Sequence, residues 1–230
     1  MAITSYLHEI LIFLKESKLL SSEKTKSIFE IGEQNWYGDV PLENLIKTIN
    51  NYSGSEDKKV LCKKLNEIIL LTEKGTDPRT FAFDVAKIFY KAIFDYKEYM
   101  ALDLKGTKHS TNFDLNNEYK DSKTYNVVTN IGTSEHIFNQ LAVFKTIHNI
   151  VAVWGLIIHQ LTGQGYYDHG FYNYQPTFFF DLAQANNYFM VGFWMYDNNK
   201  KQLINVHNRE NYVKLFVREN HPTYYDNIVI

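Results

Sequence analysis

Apolar residues recur at three- and four-residue spacing through most of the first hundred positions, and that spacing predicts amphipathic helices. Ile3, Tyr6, Leu7, Ile10, Leu11, Phe13 and Leu14 form the first stripe. Ser21 and Ser22 punctuate the chain, and Ile28, Phe29 and Ile31 read as the inner face of a second, short helix. Gly38-Asp39-Val40-Pro41 breaks and restarts the pattern, proline being suited to a first helical turn. Leu42, Leu45, Ile46 and Ile49 make a third stripe. A polar loop from Asn51 to Asp57 precedes a fourth, with Val60, Leu61, Leu65, Ile68, Ile69 and Leu71 inward and Gly75 as its stop. Asp77-Pro78 is an N-cap followed by a first-turn proline. The fifth helix it opens is predicted to reach about Leu102, burying Val85, Ile88, Phe89, Ala92, Ile93, Tyr96 and Met100.

Residues 103–124 are polar, with Phe113 and Leu115 as isolated apolar points. So long a polar stretch within a domain is a functional loop or a linker. Ser134 to about Leu161 then reads as one long helix, apolar around most of its circumference between Ile150 and Ile158 and so buried on several sides. Beyond Gly163, Tyr188 to Tyr196 alternates, Asp197-Asn198-Asn199-Lys200 is turn-like, and Gln202 to Val206 returns as the second arm of a β-hairpin. Residues 209–219 lean to a helix, and Thr223 to Ile230 forms an extended or helical tail.

The fold class expected from this pattern is α+β, mainly α: a helical bundle around a long buried central helix, with a small C-terminal antiparallel β-hairpin or sheet. Helical and strand signals are segregated, which argues against a doubly wound sheet. Residues 1–230 read as a single domain, with a seam at 103–124 between an N-terminal helical unit (1–102) and a C-terminal helix-plus-β unit (125–230).

Composition narrows the classes. Hydrophobic residues make up 45% of the chain and aromatic residues 16%, enough for a core and far from a disordered composition. Basic and acidic residues nearly cancel at a net charge of −2, so no nucleic-acid partner is expected; Lys58, Lys59, Lys63 and Lys64 read as a solvated helix face. The single cysteine, Cys62, forms no internal disulfide, which fits a reducing, cytoplasmic setting. No basic leader precedes the first apolar residues, and the longest apolar run is too short to span a bilayer, so no membrane association is expected.

Phosphate-loop, nucleophile-elbow, paired-cysteine and His-Glu-x-x-His patterns are all missing. The segment from Tyr166 to Phe180 stands out instead. Eight of its fifteen residues are aromatic, and Tyr166, Tyr167, His169, Phe171, Tyr172 and Tyr174 are its candidate binding residues, because tyrosine gives rigid contact area with one polar tip. The alternative is that the rings fill the core while the hydroxyls satisfy loop backbone. His159, Asp168 and His169 are the candidate catalytic or metal-ligating residues, since imidazole and carboxylate suit zinc or iron. A third protein ligand such as His136 or His207 would come from elsewhere in the chain. His207 and His221 otherwise read as surface or turn histidines.

These features favour a non-enzymatic, intracellular protein-binding domain, an inhibitor or an immunity- or antitoxin-like factor, without a cofactor and with another protein as its partner. The alternatives are a hydrolase, metal-dependent or not, using the 159–169 His/Asp cluster, and a structural subunit of a larger assembly.

Overall fold

The structure, a computed structural model, describes residues 2–20, 25–218 and 222–230, without the side chains of 215–218. Ser21, Ser22 and His221 lie outside the described residues. The chain divides into two compact units, Met1–Phe113 and Asp114–Ile230.

In the first unit, Ala2–Ile3 (β1) leads into the helix Ser5–Glu16 (α1). Thr4 caps that helix by accepting the Leu7 N–H, and Tyr6, Leu7, Ile10, Leu11 and Leu14 are its buried stripe. The segment Ser27–Ile31 (β2) is a strand, not the short helix its apolar residues suggested, and all five of its residues are buried. Asn35–Trp36 (β3) pairs in parallel with β1. Leu42–Tyr52 (α2) and Ser55–Glu73 (α3) follow the predicted stripes, although Val60 and Leu71, expected inward, are exposed. Asp77 caps the next turn through the Arg79 N–H, and a short 3-10 helix runs straight into Ala82–Phe94 (α4).

That last helix stops eight residues before its predicted end. Asp95 takes a left-handed conformation at φ 51°, and the chain re-emerges as the strand Glu98–Asp103 (β4), parallel to β2 with Ser27 opposite Glu98 and Ile31 opposite Leu102. Thr111–Asn112 (β5), inside the stretch read as a polar loop, adds a third parallel strand, giving the order β5-β4-β2.

In the second unit, Tyr125–Ile131 (β6) pairs in parallel with Val151–Thr162 (β7). The long central helix expected over 134–161 is therefore three elements: a 3-10 turn at Ser134–His136, the helix Gln140–Ile150 (α5), and β7 itself. The physical reason is that the stretch is a continuous apolar run, which local periodicity cannot tell from a helix buried on several sides, although Val153 and Trp154 of this strand are exposed. The β-branched Val151, Val153, Ile157 and Ile158 suit the strand. Pro176–Ala185 (α6) follows, then the hairpin Phe193–Asp197 (β8) and Gln202–Asn205 (β9), the helix Arg209–Arg218 (α7) and the strand Tyr225–Val229 (β10). The tail thus inserts as β10, antiparallel to both β7 and β8, so the hairpin is the edge of a five-stranded sheet ordered β6-β7-β10-β8-β9.

The mainly-α bundle with a small hairpin is corrected accordingly: each unit is α/β, with parallel strands at its centre and helices in the connections between them. Among the described residues, no helix is long and apolar enough to cross a membrane.

Candidate functional site

In α/β folds, ligands are met at the carboxyl ends of parallel strands, because the loops there are free to vary while the strands fix their starting points. The second unit has two such ends side by side. After β6 the chain turns at Gly132 (φ 59°) and enters the 3-10 turn carrying Glu135 and His136. After β7 it passes Gly163 and Gly165 into the aromatic segment carrying His169.

Backbone and side-chain bonds lace the two loops together. The Phe171 N–H donates to the Glu135 carbonyl at 2.7 Å, and the Tyr174 hydroxyl donates to Gln140 Oε1 at 2.5 Å beside Ser134 Oγ at 2.9 Å. A Cβ on Gly170 would stand 2.8 Å from the Glu135 carbonyl oxygen, so glycine is what lets the second loop close on the first.

This closure brings Glu135, His136 and His169 together, with one ligand atom from each lying within 4.8 Å of the others. Glu135 is buried, and its Oε2 has no hydrogen-bond partner among the described residues. Burial pushes its carboxyl group up to about 7. His169 Nε2 stands 3.9 Å from Glu135 Oε1, beyond hydrogen-bond reach, and the His136 and His169 rings are 4.8 Å apart. Burial, then the neighbouring His169, hold His136 below the ordinary imidazole value. The result is a buried acid with a raised carboxyl group beside two imidazoles, open to solvent on the histidine side.

Of the residues expected from sequence, His169 alone of the three metal or catalytic candidates joins this cluster. His159 is buried in β7, with Nδ1 3.3 Å from Asn130 Nδ2 and its ring between Phe144 and Phe179; burial lowers it to about 4. Asp168 is exposed, at φ 53°. The six aromatic-segment residues divide. Tyr166 donates to Asp226, Tyr172 donates to the Phe138 carbonyl, and Tyr174 is buried. Tyr167 and Phe171 are exposed, Phe171 standing edge-on to Phe138. His207 is exposed and stands outside the cluster, whereas His136 belongs to it.

Glu135 went unnoticed in the sequence because Ser134 onward read as helix. A signal was available: the β-prone segment Tyr125–Ile131 is followed by a Gly, and Glu-His begins three residues after it.

The first unit has its own pair of strand ends. β2 ends at Gly32 (φ 78°), whose N–H donates to the Leu102 carbonyl, and β4 ends at Asp103. Asp103 accepts the Glu33 N–H on one oxygen at 3.0 Å and the Lys105 N–H on the other at 2.8 Å. Burial alone would raise Glu33, but Lys87 at 2.6 Å and both the N–H and hydroxyl of Thr107 outweigh it and hold Glu33 low. Gln34 is fully buried, and its Oε1 has no hydrogen-bond partner among the described residues.

No protein-family model matches the chain, and no curated protein sequence does. Solved structures align with nearly all of it. One is described as a candidate methyltransferase from Bacillus halodurans C-125 (TM-score 0.45, 9% identity, 96% of this chain and 95% of that one). The YcgJ protein from Bacillus subtilis aligns at TM-score 0.47 and 6% identity, over 96% of each chain. DhpI in complex with SAH aligns at TM-score 0.41 and 9% identity, over 96% of this chain and 84% of that one.

The expectation of a non-enzymatic protein-binding domain is corrected. Three of the six residues of its aromatic recognition surface, Tyr166, Tyr172 and Tyr174, are engaged in internal bonds, while the strand ends carry a buried acid and two imidazoles. The hydrolase alternative falls because His159 is buried while Asp168 is exposed.

Proposed function

We propose that this protein is a small-molecule methyltransferase, with an adenosyl donor held at the carboxyl ends of β2 and β4. The donor's identity comes from the descriptions of the aligned structures; the support comes from this chain's residues. The observation that carries it is Asp103, an acid at the end of the strand beside β2, where doubly wound folds place the carboxylate that holds ribose hydroxyls.

The residues present fit an adenosyl group. Each Asp103 oxygen accepts one backbone N–H and retains a lone pair for a hydroxyl. Gly32 keeps the turn after β2 free of a side chain, and the unpartnered Gln34 oxygen is a buried acceptor for an amine. The chain lacks the three-glycine pyrophosphate fingerprint, which a donor without a pyrophosphate does not require. When bound, such a donor supplies an electrophilic methyl group on a sulfonium. The lone thiol Cys62 is consistent with a cytoplasmic enzyme.

Isothermal titration with S-adenosylhomocysteine tests this reading. Binding in the micromolar range, weakened tenfold or more in Asp103→Ala with an unchanged circular-dichroism spectrum, is the expected result. Absence of binding at millimolar ligand sinks it.

A further inference from the structure

We infer that Glu135, His136 and His169 form a binding site for one first-row divalent cation of the zinc, iron or manganese type. The first ground is donor chemistry: two imidazoles and one carboxylate, each offering one atom, is the set that holds such cations with positions left open for water or substrate. Magnesium and calcium are disfavoured, since both require mainly oxygen ligands.

The second ground is geometry. The three ligand atoms lie within 4.8 Å of one another, and His169 Nε2 and Glu135 Oε1 are 3.9 Å apart. That gap is too long for a hydrogen bond, yet ligands about 2.1 Å from a shared metal stand roughly 3–4 Å apart. Small side-chain rotations close the remaining distance.

The third ground is an unmet requirement. Glu135 Oε2 is buried with no hydrogen-bond partner among the described residues, and leaving a buried carboxyl oxygen unsatisfied is costly unless something occupies its lone pairs. A cation does so, and it also offsets the cost of burying the charge.

The surroundings hold the ligands in place. Glu135 and His136 are adjacent on one 3-10 turn, fixed by the Phe171 and Tyr172 N–H groups on the Glu135 carbonyl. His169 is fixed between Asp168 in a left-handed conformation and Gly170, and the Tyr166 ring packs 5.3 Å from it. Glu135 is buried while both histidines are exposed, so the open coordination positions face solvent. This goes beyond the proposed transfer reaction, because the cation needs no methyl donor to bind.

The test uses the full chain stripped with EDTA and titrated with Co²⁺ or Zn²⁺ alone, with no donor or acceptor present. One equivalent of metal by elemental analysis after dialysis, with visible Co²⁺ absorption typical of nitrogen ligands, is expected. Glu135→Gln, His136→Ala and His169→Ala should each weaken binding tenfold or more, and Tyr167→Ala, at an exposed position outside the cluster, should leave it unchanged. Binding well below one equivalent, or an affinity that the three variants leave intact, overturns the site. Should Glu135→Gln fail to fold, the two exposed histidine variants decide the matter. Because no donor is present, failure here leaves the adenosyl-binding titration to stand or fall by itself.

Discussion

The Tyr166 hydroxyl donates to Asp226 Oδ2 at 2.6 Å, tying the loop that follows β7 to the strand β10. Asn198 Nδ2 reaches both atoms from the end of β8, so one polar knot joins three elements of the second unit. Asp226 is buried, and burial, then the Asp226 charge, push the Tyr166 hydroxyl well above its ordinary value, so it stays a donor. Tyr166→Phe removes one hydrogen bond to a buried carboxyl group, a loss of about 1–2 kcal/mol with Asn198 still in place. Tyr167, 90% exposed, has no such duty, and Tyr167→Ala should stay within about 0.5 kcal/mol of the wild type. Thermal melting of the two variants side by side checks the contrast; equal melting temperatures refute it.

Gly163, where β7 hands over to the same loop, admits no side chain. Its N–H donates to the Tyr225 carbonyl at 2.9 Å, and a Cβ there would stand 2.8 Å from that oxygen and inside the Tyr225 ring. Tyr225 is fully buried and cannot yield. Gly163→Ala is expected to cost about 3 kcal/mol or more by overpacking. Gly54→Ala, with open space around its Cβ and no positive φ, should cost no more than about 1 kcal/mol. Urea denaturation distinguishes the two, and a mild effect at Gly163 would mean that the sheet gives locally.

How much of this was legible follows from where signals are local. The stripes of α1, α2 and α3 are amphipathic because one face meets solvent, and the Asp77-Pro78 start and the 197–200 turn are written in residue types. β2 and β7 carry no such mark. β2 is buried throughout, and the exposed residues of β7, Val153 and Trp154, are themselves apolar, so no polar alternation marks either strand, and no glycine or proline separates Ile150 from Val151 where helix becomes strand. The site suffered the same way. His169 drew notice within its aromatic segment, but its partner Glu135 lies 34 residues earlier, and only the parallel pairing of β6 with β7 brings the two loops together.

His159 makes the protein acid-sensitive in a defined window. Burial lowers its folded value to about 4 from an ordinary 6.5. Below pH 6.5 the unfolded chain binds a proton that the folded chain refuses, so stability is complete above about 6.5 and falls as the pH drops toward 4. The span of the shift corresponds to roughly 3 kcal/mol at most. His8, likewise lowered by burial, adds to the loss with the same sign. Because the raised carboxyl groups of Glu30 and Glu135 act with the opposite sign over nearly the same window, the readout is a difference: in urea unfolding at pH 7.5, 5.5 and 4.5 the wild type should lose stability relative to His159→Gln as the pH falls, and a constant difference would assign the sensitivity elsewhere.

Glu30 imposes the opposite slope over nearly the same window. It is buried in β2, where burial pushes it up to about 7 against the pull of Lys87, the Tyr99 hydroxyl and the Gln34 N–H. An acid whose folded value is raised favours the folded state when protonated. From its unfolded value near 4.5 up to about 7 the unfolded chain has already lost the proton, so stability falls with rising pH and the penalty is complete above 7. Glu30→Gln removes the charge and keeps an acceptor for Tyr99 and Gln34, although its amide N–H₂ lands beside an atom that already lacks a partner. Setting a penalty of roughly 3 kcal/mol against about 1–2 kcal/mol for that unpaired donor, the variant should be more stable than the wild type by about 1–2 kcal/mol at pH 8 and no more stable at pH 4.5. Unfolding curves at those two pH values decide it: a variant weaker than wild type at pH 8 would mean that Lys87 holds Glu30 ionised after all.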